Sequence, residues 1–466
     1  MITQRRIKTA VCDAEQTFEN CWSKLLDIQK GKLESVELAK TIYSFQSVLL
    51  IALYKLQKTY KEICEDERNV VDRKPSRFRV RLQIFNRYKQ IIIETIDVGK
   101  VIGDSFAWFF YQGHRQFLRN HHEHEPITEI PTGVGGRGEI AFIQRPKIAD
   151  YFALIHSTTS FLRHLDFSLF DPKEWKVFAL GELKTREDKD KNFVLSMSLI
   201  GENLGQRKFP TRPAVEPPQD LSSQQLSPKA QTRFERQMKA ASDSFRPTDI
   251  DGNLGKIKLQ TTPVYEKLKE VFDKSASQTW EGVKADRGFA IVGARLHGSS
   301  LFTRLTTGVP EFNKSLPEFA VVIQDKKLSD NSIRISRLLY HSESRYKLLV
   351  GMRPVFWWPI SEELREALVF KKFVAVTFYN SAFLIEDLRK AGIEVSVASN
   401  HVVQVRKTTA KIKSEISDIG YFIDMVQDYL FSDSSVVEML KKYFEAVENV
   451  DLKESVKVHW DFDFVI

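Results

Sequence analysis

The chain has 466 residues, of which 42% are hydrophobic, and a formal net charge of +8. That length exceeds one ordinary core, so about two or three domains are expected, and the apolar content argues against a largely disordered chain. The basic balance, with a pI of about 9.1, favours a polyanionic partner. The three cysteines, Cys12, Cys21 and Cys64, lack Cys-x-x-Cys spacing and argue against a disulfide framework or a zinc site.

The N-terminal residues MITQRRIKTAVCDAEQ lack the apolar core of a signal peptide. The most apolar run, near Ser47–Leu56, is far shorter than the roughly 20 residues needed to span a bilayer. A cytoplasmic protein without a membrane partner is the resulting expectation.

Residues 10 to about 66 read as helical, with apolar residues at three- and four-residue spacing through Leu33, Val36, Ile42, Phe45, Leu49, Leu53 and Leu56. Residues 73–89 follow, with seven basic side chains and no acid. There Arg77, Arg79 and Arg81 alternate with Phe78 and Val80. This stretch reads either as a phosphate-neutralising stripe or as the solvated start of the next helix. A second long helical pattern runs through Ile91, Ile96 and Ile102 to Trp108 and Phe117.

The segment HRQFLRNHHEHEP carries His114, His121, His122 and His124, which read as a surface helix end rather than a metal site. In IPTGVGGRGEIAFIQ, Gly133, Gly135 and Gly138 match the letters of a dinucleotide loop. The preceding residues, however, make a poor buried strand. The stretch reads better as a loop into a helix whose first turn carries Glu139, and residues 141–160 are expected to be helical.

Residues 161–185, FLRHLDFSLFDPKEWKVFALGELKT, read as two strands and a turn, followed by a third strand at 192–201. Asp166 lies on the first strand, and Glu182 and Lys184 on one face of the second, since side chains alternate across a strand. Two carboxylates brought together by such a hairpin repel unless a cation lies between them. Mg²⁺ suits them, as a hard ion taking one or two carboxylates, waters and phosphate oxygens. Such an ion polarises a phosphate and lowers the pKa of bound water. Lys184 can orient that water or neutralise developing phosphorane charge.

At these residues the chain resembles the PD-(D/E)xK nuclease superfamily. The likeness rests on RHLDFSLF, then 15 residues between the acids, then GELKT, with GRGEIAF upstream. It implies that Asp166, Glu182 and Glu139 hold a Mg²⁺ or Mn²⁺ ion and that Lys184 is the catalytic lysine. The superfamily's first proline is absent, since His164 and Leu165 precede Asp166. The likeness spans about residues 126–201 and leaves both flanks outside it.

The fold expected is multidomain, of α+β or α/β class. It comprises a helical domain at 1–125, a restriction-endonuclease-like core at 126–202, a linker or insertion at 203–260, and a C-terminal α/β region at 261–466. The last region reads as strands FAIVGARL, FAVVIQ, YKLLVGM, FVAVTFY and IEVSVA with helices SEELREALVF and AFLIEDLRKAG. Gly392 serves as a helix stop, and terminal helices are expected at 411–430 and 434–448. Trp357 and Trp358 read as core packing.

The function expected is metal-dependent hydrolysis of DNA, with Arg77, Arg79, Arg81 and Arg137 as phosphate contacts. By analogy it serves in host defence, as a homo-oligomer or beside an ATPase or other defence partner, since the chain has no Walker A motif. The alternative is an inactive nuclease-fold scaffold that binds nucleic acid or regulates.

Overall fold

The computed structural model describes residues 2–31, 35–73, 77–111, 130–144, 151–187, 193–202, 257–260, 263–275, 279–309, 334–339, 354–397, 403–408, 413–448 and 462–465, with single residues at 204, 232, 236 and 239. The chain divides into two compact units, Met1–Pro247 and Thr248–Ile466. The class is mixed α+β. Among the described residues no helix is long and apolar enough to cross a membrane.

In the first unit, three helices precede a sheet: α1 (Gln4–Gln29), α2 (Ser35–Arg73) and α3 (Phe78–Tyr111). Thr3 caps α1, its hydroxyl accepting from the Arg6 amide. The apolar spacing read from the sequence becomes the buried seam. Ile7, Val11 and Phe18 of α1 and Phe45, Leu49 and Leu53 of α2 are all buried in a pairwise-packed bundle with α3. Phe45 stacks on Phe106 of α3 at 4.2 Å between ring centroids. The helices alternate in direction. The Ile2 amide meets Asp66 at 2.5 Å, Lys24 meets Ser44 at 3.0 Å, and Lys89 meets Glu67 at 2.8 Å.

Helix α4 (Val134–Gln144) leads into strands β1 (Phe152–Ile155), β2 (Phe167–Asp171), β3 (Lys176–Glu187) and β4 (Phe193–Gly201). They form one antiparallel meander in sequence order. The hairpin expected at 161–185 is present, and so is the strand expected at 192–201. The helix expected at 141–160 is a correction. The helix ends at Gln144, and Phe152–Ile155 instead pair with Phe167–Phe170. A four-residue apolar run carries too little periodicity to separate strand from helix, and pairing with β2 decided it.

Strand β1 lies at the edge of this sheet, where backbone groups need other partners. Gln46 of α2 supplies them: its amide nitrogen donates to the Ala153 carbonyl at 2.8 Å, and its amide oxygen accepts from the Ile155 N–H at 2.9 Å. One buried side chain thus substitutes for a neighbouring strand and ties the bundle to the sheet.

The second unit contains β5 (Ile257–Gln260), α5 (Pro263–Lys274), β6 (Glu281–Asp286), β7 (Phe289–Arg295), α6 (Leu301–Thr307) and β8 (Arg334–Leu338). It continues with α7 (Glu362–Val369), β9 (Phe373–Asn380), α8 (Ala382–Lys390), β10 (Glu394–Val397), β11 (Val403–Thr408) and β12 (Lys413–Ile416). Helices α9 (Gly420–Tyr429) and α10 (Asp433–Glu448) and strand β13 (Phe462–Val465) follow. Strands pair in the orders β6-β7-β9-β8, β10-β11-β12 and β5-β13.

Ala290, Val292, Val374 and Phe378 pack with Trp280 on the four-stranded sheet. Gly392, at φ 77°, ends α8 as expected, and Trp358 is buried against Tyr265. The helix expected at 411–430 is a second correction, because Lys413–Ile416 pair with β11 and the helix starts only at Gly420. Strands expected at FAVVIQ and YKLLVGM, the four histidines and most of the 203–260 segment lie outside the described residues.

Gln46→Ala removes both edge contacts and leaves two buried backbone groups without partners. We expect a stability loss of about 2–4 kcal/mol, read as a lower urea midpoint with an unchanged denaturant slope.

Candidate active site of clustered carboxylates

Asp166 sits immediately before β2 rather than inside it. The preceding residue, Leu165, is buried with φ at 60°, a left-handed conformation uncommon for a bulky side chain. That twist turns Asp166 toward β3. Its amide donates to the Gly181 carbonyl at 2.9 Å, and its carboxylate accepts the Leu183 amide at 2.6 Å. The backbone of β3 therefore fixes the Asp166 carboxylate.

Glu182 and Lys184 share one face of β3, opposite Ser198 and Ser196 of β4. Leu183 points the other way and is buried. The Lys184 ammonium donates to the Glu182 carboxylate. The Glu182 side chain is 13% exposed and that of Lys184 is 55% exposed, so the lysine covers the acid from the solvent side.

Glu139 comes from α4, which packs on β3. Gly138 permits the approach: a Cβ there would lie 2.0 Å from the Thr185 hydroxyl. Glu139 is buried and lies in the second helical turn, not in the first turn as expected from the sequence. The Ser157 hydroxyl donates to its carboxyl oxygen at 2.6 Å. Burial pushes the Glu139 carboxyl up to about 8. The Ser157 hydrogen bond and Lys100 oppose that shift, while Asp166 and Glu182 add to it. Asp166 and Glu182, the other acids that the sequence brought forward, thus reach Glu139 electrostatically.

A buried polar segment that sequence reasoning missed lies beneath these acids. His156, Ser157, Thr158, Thr159 and Ser160 are all buried. Asp104 of α3 accepts the Ser160 amide at 2.6 Å and its hydroxyl at 2.5 Å, and the Lys100 ammonium donates to the Thr159 carbonyl at 3.2 Å. Gly103 lies so close to Thr158 that a Cβ would fall 2.0 Å from its carbonyl oxygen. His156 is held neutral, its pKa lowered to about 3 by burial. Its Nδ1 contacts the His164 carbonyl at 2.7 Å and its Nε2 contacts the Ser168 hydroxyl at 2.5 Å, which in turn bonds Tyr111. The available signal was HSTTS itself, five polar residues set between the apolar FALI and FL.

The arginines separate into two places. Arg137 pairs with Glu187 at 2.9 Å, between α4 and the end of β3. Arg77 and Arg79 are exposed and Arg81 half-buried at the start of α3, about 30 Å along the helix from Lys100. The structure does not bring them to the acids. The glycine-rich stretch forms α4, where Gly136 and Gly138 serve close packing against Pro131 and Thr185. Those contacts account for Gly136 and Gly138 without a phosphate.

Among the described residues, no three or more His, Cys, Asp or Glu side chains gather closely enough to hold a metal ion directly. No family model, curated protein or solved structure matches this chain.

The raised Glu139 value fixes the sign of a pH effect. Its folded value, about 8, lies above the ordinary carboxylate value. Its contribution to stability is complete below the unfolded value and is lost as pH rises through about 8. Glu139→Gln keeps a hydrogen-bond acceptor for Ser157 and cannot ionise. Relative to wild type, this variant should gain about 2 kcal/mol in urea unfolding between pH 6 and pH 9.

Proposed function

We propose that the protein is a metal-dependent nuclease that hydrolyses DNA phosphodiester bonds, on a restriction-endonuclease-like core spanning α4 and β1–β4. The observation that carries this reading is geometric: the Leu183 amide of β3 fixes the Asp166 carboxylate while Lys184 bonds Glu182 on the same strand, with the buried Glu139 of α4 within the field of both acids. Carboxylates held in one another's field by rigid elements are costly without a cation, and this is the chemistry of a divalent-ion site.

The donor set fits Mg²⁺ or Mn²⁺, which needs one or two carboxylates and keeps several waters. Asp166 and Glu182 would hold the ion, with Glu139 beside the pair, its carboxyl raised in part by both. When bound, the ion supplies Lewis-acid polarisation of the phosphate and a bound water of lowered pKa. The protein's own groups do the rest. The Leu183 amide orients the Asp166 carboxylate. Ser157 orients the Glu139 carboxyl. Lys184, already at the solvent edge of the acids, presents its ammonium to an entering phosphate and to the charge that develops there. Arg137 lies on the neighbouring helix as a phosphate contact, freed when it leaves Glu187.

The second reading, an inactive nuclease-fold scaffold that binds nucleic acid or regulates, draws on a specific observation. Lys184 already neutralises Glu182, and Glu139 is satisfied by Ser157, so the site is self-contained without an ion.

Incubation of supercoiled and linear DNA with Mg²⁺, Mn²⁺ or EDTA separates the two. The nuclease reading expects cutting that needs metal and falls by about 100-fold or more in Glu182→Ala and Lys184→Ala. DNA left intact under every metal, with no heat of metal binding, would leave the scaffold reading in its place.

A further inference from the structure

The start of α1 lies level with residues 62–66 of α2. The Ile2 amide reaches Asp66 at 2.5 Å, and Arg6 pairs with Glu62. Helix α2 continues to Arg73, about two turns further. Helix α3 runs beside it, with Lys89 bonded to both carboxylate oxygens of Glu67 at 2.8 and 2.9 Å. The end of the α2–α3 hairpin therefore projects past α1 as a two-helix tip.

Val70 and Phe85 are buried at this tip, at 7% and 3% exposure. Val71, Val80 and Ile84 are left 42%, 52% and 43% exposed. Farther along α3, Ile91, Ile92 and Val98 are buried, at 3%, 0% and 1% exposure. Among the described residues, Val71, Val80 and Ile84 are the most exposed aliphatics of the three helices, ahead of Ile93 and Val48 in the bundle's body, and they lie where it thins. Val80 and Ile84 lie one turn apart, Arg81 shares their face at helical spacing, and Arg77 immediately precedes the helix.

Charge is as uneven as polarity. Residues 73–93 contain seven Lys and Arg and no Asp or Glu. On α2, Asp66 and Glu67 are engaged with Ile2 and Lys89, and Asp72 is the acid nearest the end. The α3 side is cationic around an apolar pair.

We propose that this tip is a docking surface for an amphipathic helix of a partner protein, with an apolar stripe edged by carboxylates. Such a helix lies along the α2–α3 seam as a third member of the bundle where the described residues supply none, covering Val71, Val80 and Ile84. Its carboxylates meet Arg77 and Arg81. A second copy placed tip to tip brings like charges together. A DNA duplex uses the arginines but leaves the aliphatics in water. A bilayer surface calls for a broad apolar face rich in Trp, Phe or Leu, whereas the exposed apolar residues here are three β-branched aliphatics. The tip is about 30 Å along α3 from Lys100, so the inference stands apart from the proposed chemistry.

The test uses the full chain and a fluorescein-labelled helical peptide of about 18 residues, with leucines at helical spacing and glutamates at the flanks. A peptide with the same leucines and lysine flanks is the control. Anisotropy should show the glutamate peptide binding and the lysine peptide weaker by about tenfold or more. The pair Val80→Ser with Ile84→Ser, and the pair Arg77→Glu with Arg81→Glu, should each weaken binding by about tenfold. Both pairs change solvent-facing or half-exposed positions, and thermal melts check that they fold. Glu182→Ala should bind the peptide like wild type, which keeps this result separate from the nuclease reading. No binding of the glutamate peptide would overturn the proposal, as would binding indifferent to both pairs. Selective binding of a DNA duplex or phosphatidylserine vesicles at Val80 and Ile84, in place of the peptide, would also overturn it.

Discussion

A carboxylic acid buried between a helix and a sheet, and held by one hydroxyl, is the constraint on which the first unit's arrangement turns. Glu139 reaches its position because Gly138 lets α4 settle against Thr185 of β3. Ser157 reaches Glu139 because its segment is gripped from below, by Asp104 at Ser160 and by Lys100 at Thr159. Polar groups buried in such numbers are tolerable only when each finds a partner. Loosening any one of them would misplace the acid as well as destabilise the fold.

The same arrangement accounts for the electrostatics. Asp166 is pinned by the Leu183 amide, and Glu182 lies along the same strand. With Glu139 behind them, the acids share a field that Lys184, Lys100 and the Ser157 hydrogen bond relieve. Two fixed carboxylates beside a third carboxyl that keeps its proton until a cation displaces it are what a cation site requires before the ion arrives. That arrangement gives the nuclease proposal a physical basis beyond a short sequence likeness.

Much of this was legible in the sequence because it rested on short-range rules. The helical seams of α1–α3 follow from apolar residues at three- and four-residue spacing. Glu182 and Lys184 fall on one face because a strand alternates. The helix stop at Gly392 follows from the backbone freedom of glycine. What stayed hidden depended on long-range pairing. Phe152–Ile155 became a strand only because β2 lies beside it, and Lys413–Ile416 only because β11 does. The burial of Glu139 and the role of HSTTS depend on α3 crossing beneath them. No local pattern in GRGEIAF or FALIHSTTS states that crossing.

The central claim, that Glu139 is coupled to a cation site at Asp166 and Glu182, is tested most directly by counting protons. Calorimetric titration with Mn²⁺ at pH 7, in buffers of different ionisation enthalpy, measures protons released on binding. Glu139 holds its proton at that pH, with its value near 8, so the account predicts about one proton released per bound ion. The release should be absent in Glu139→Gln. Binding with no proton release, or an unchanged release in Glu139→Gln, would contradict the coupling.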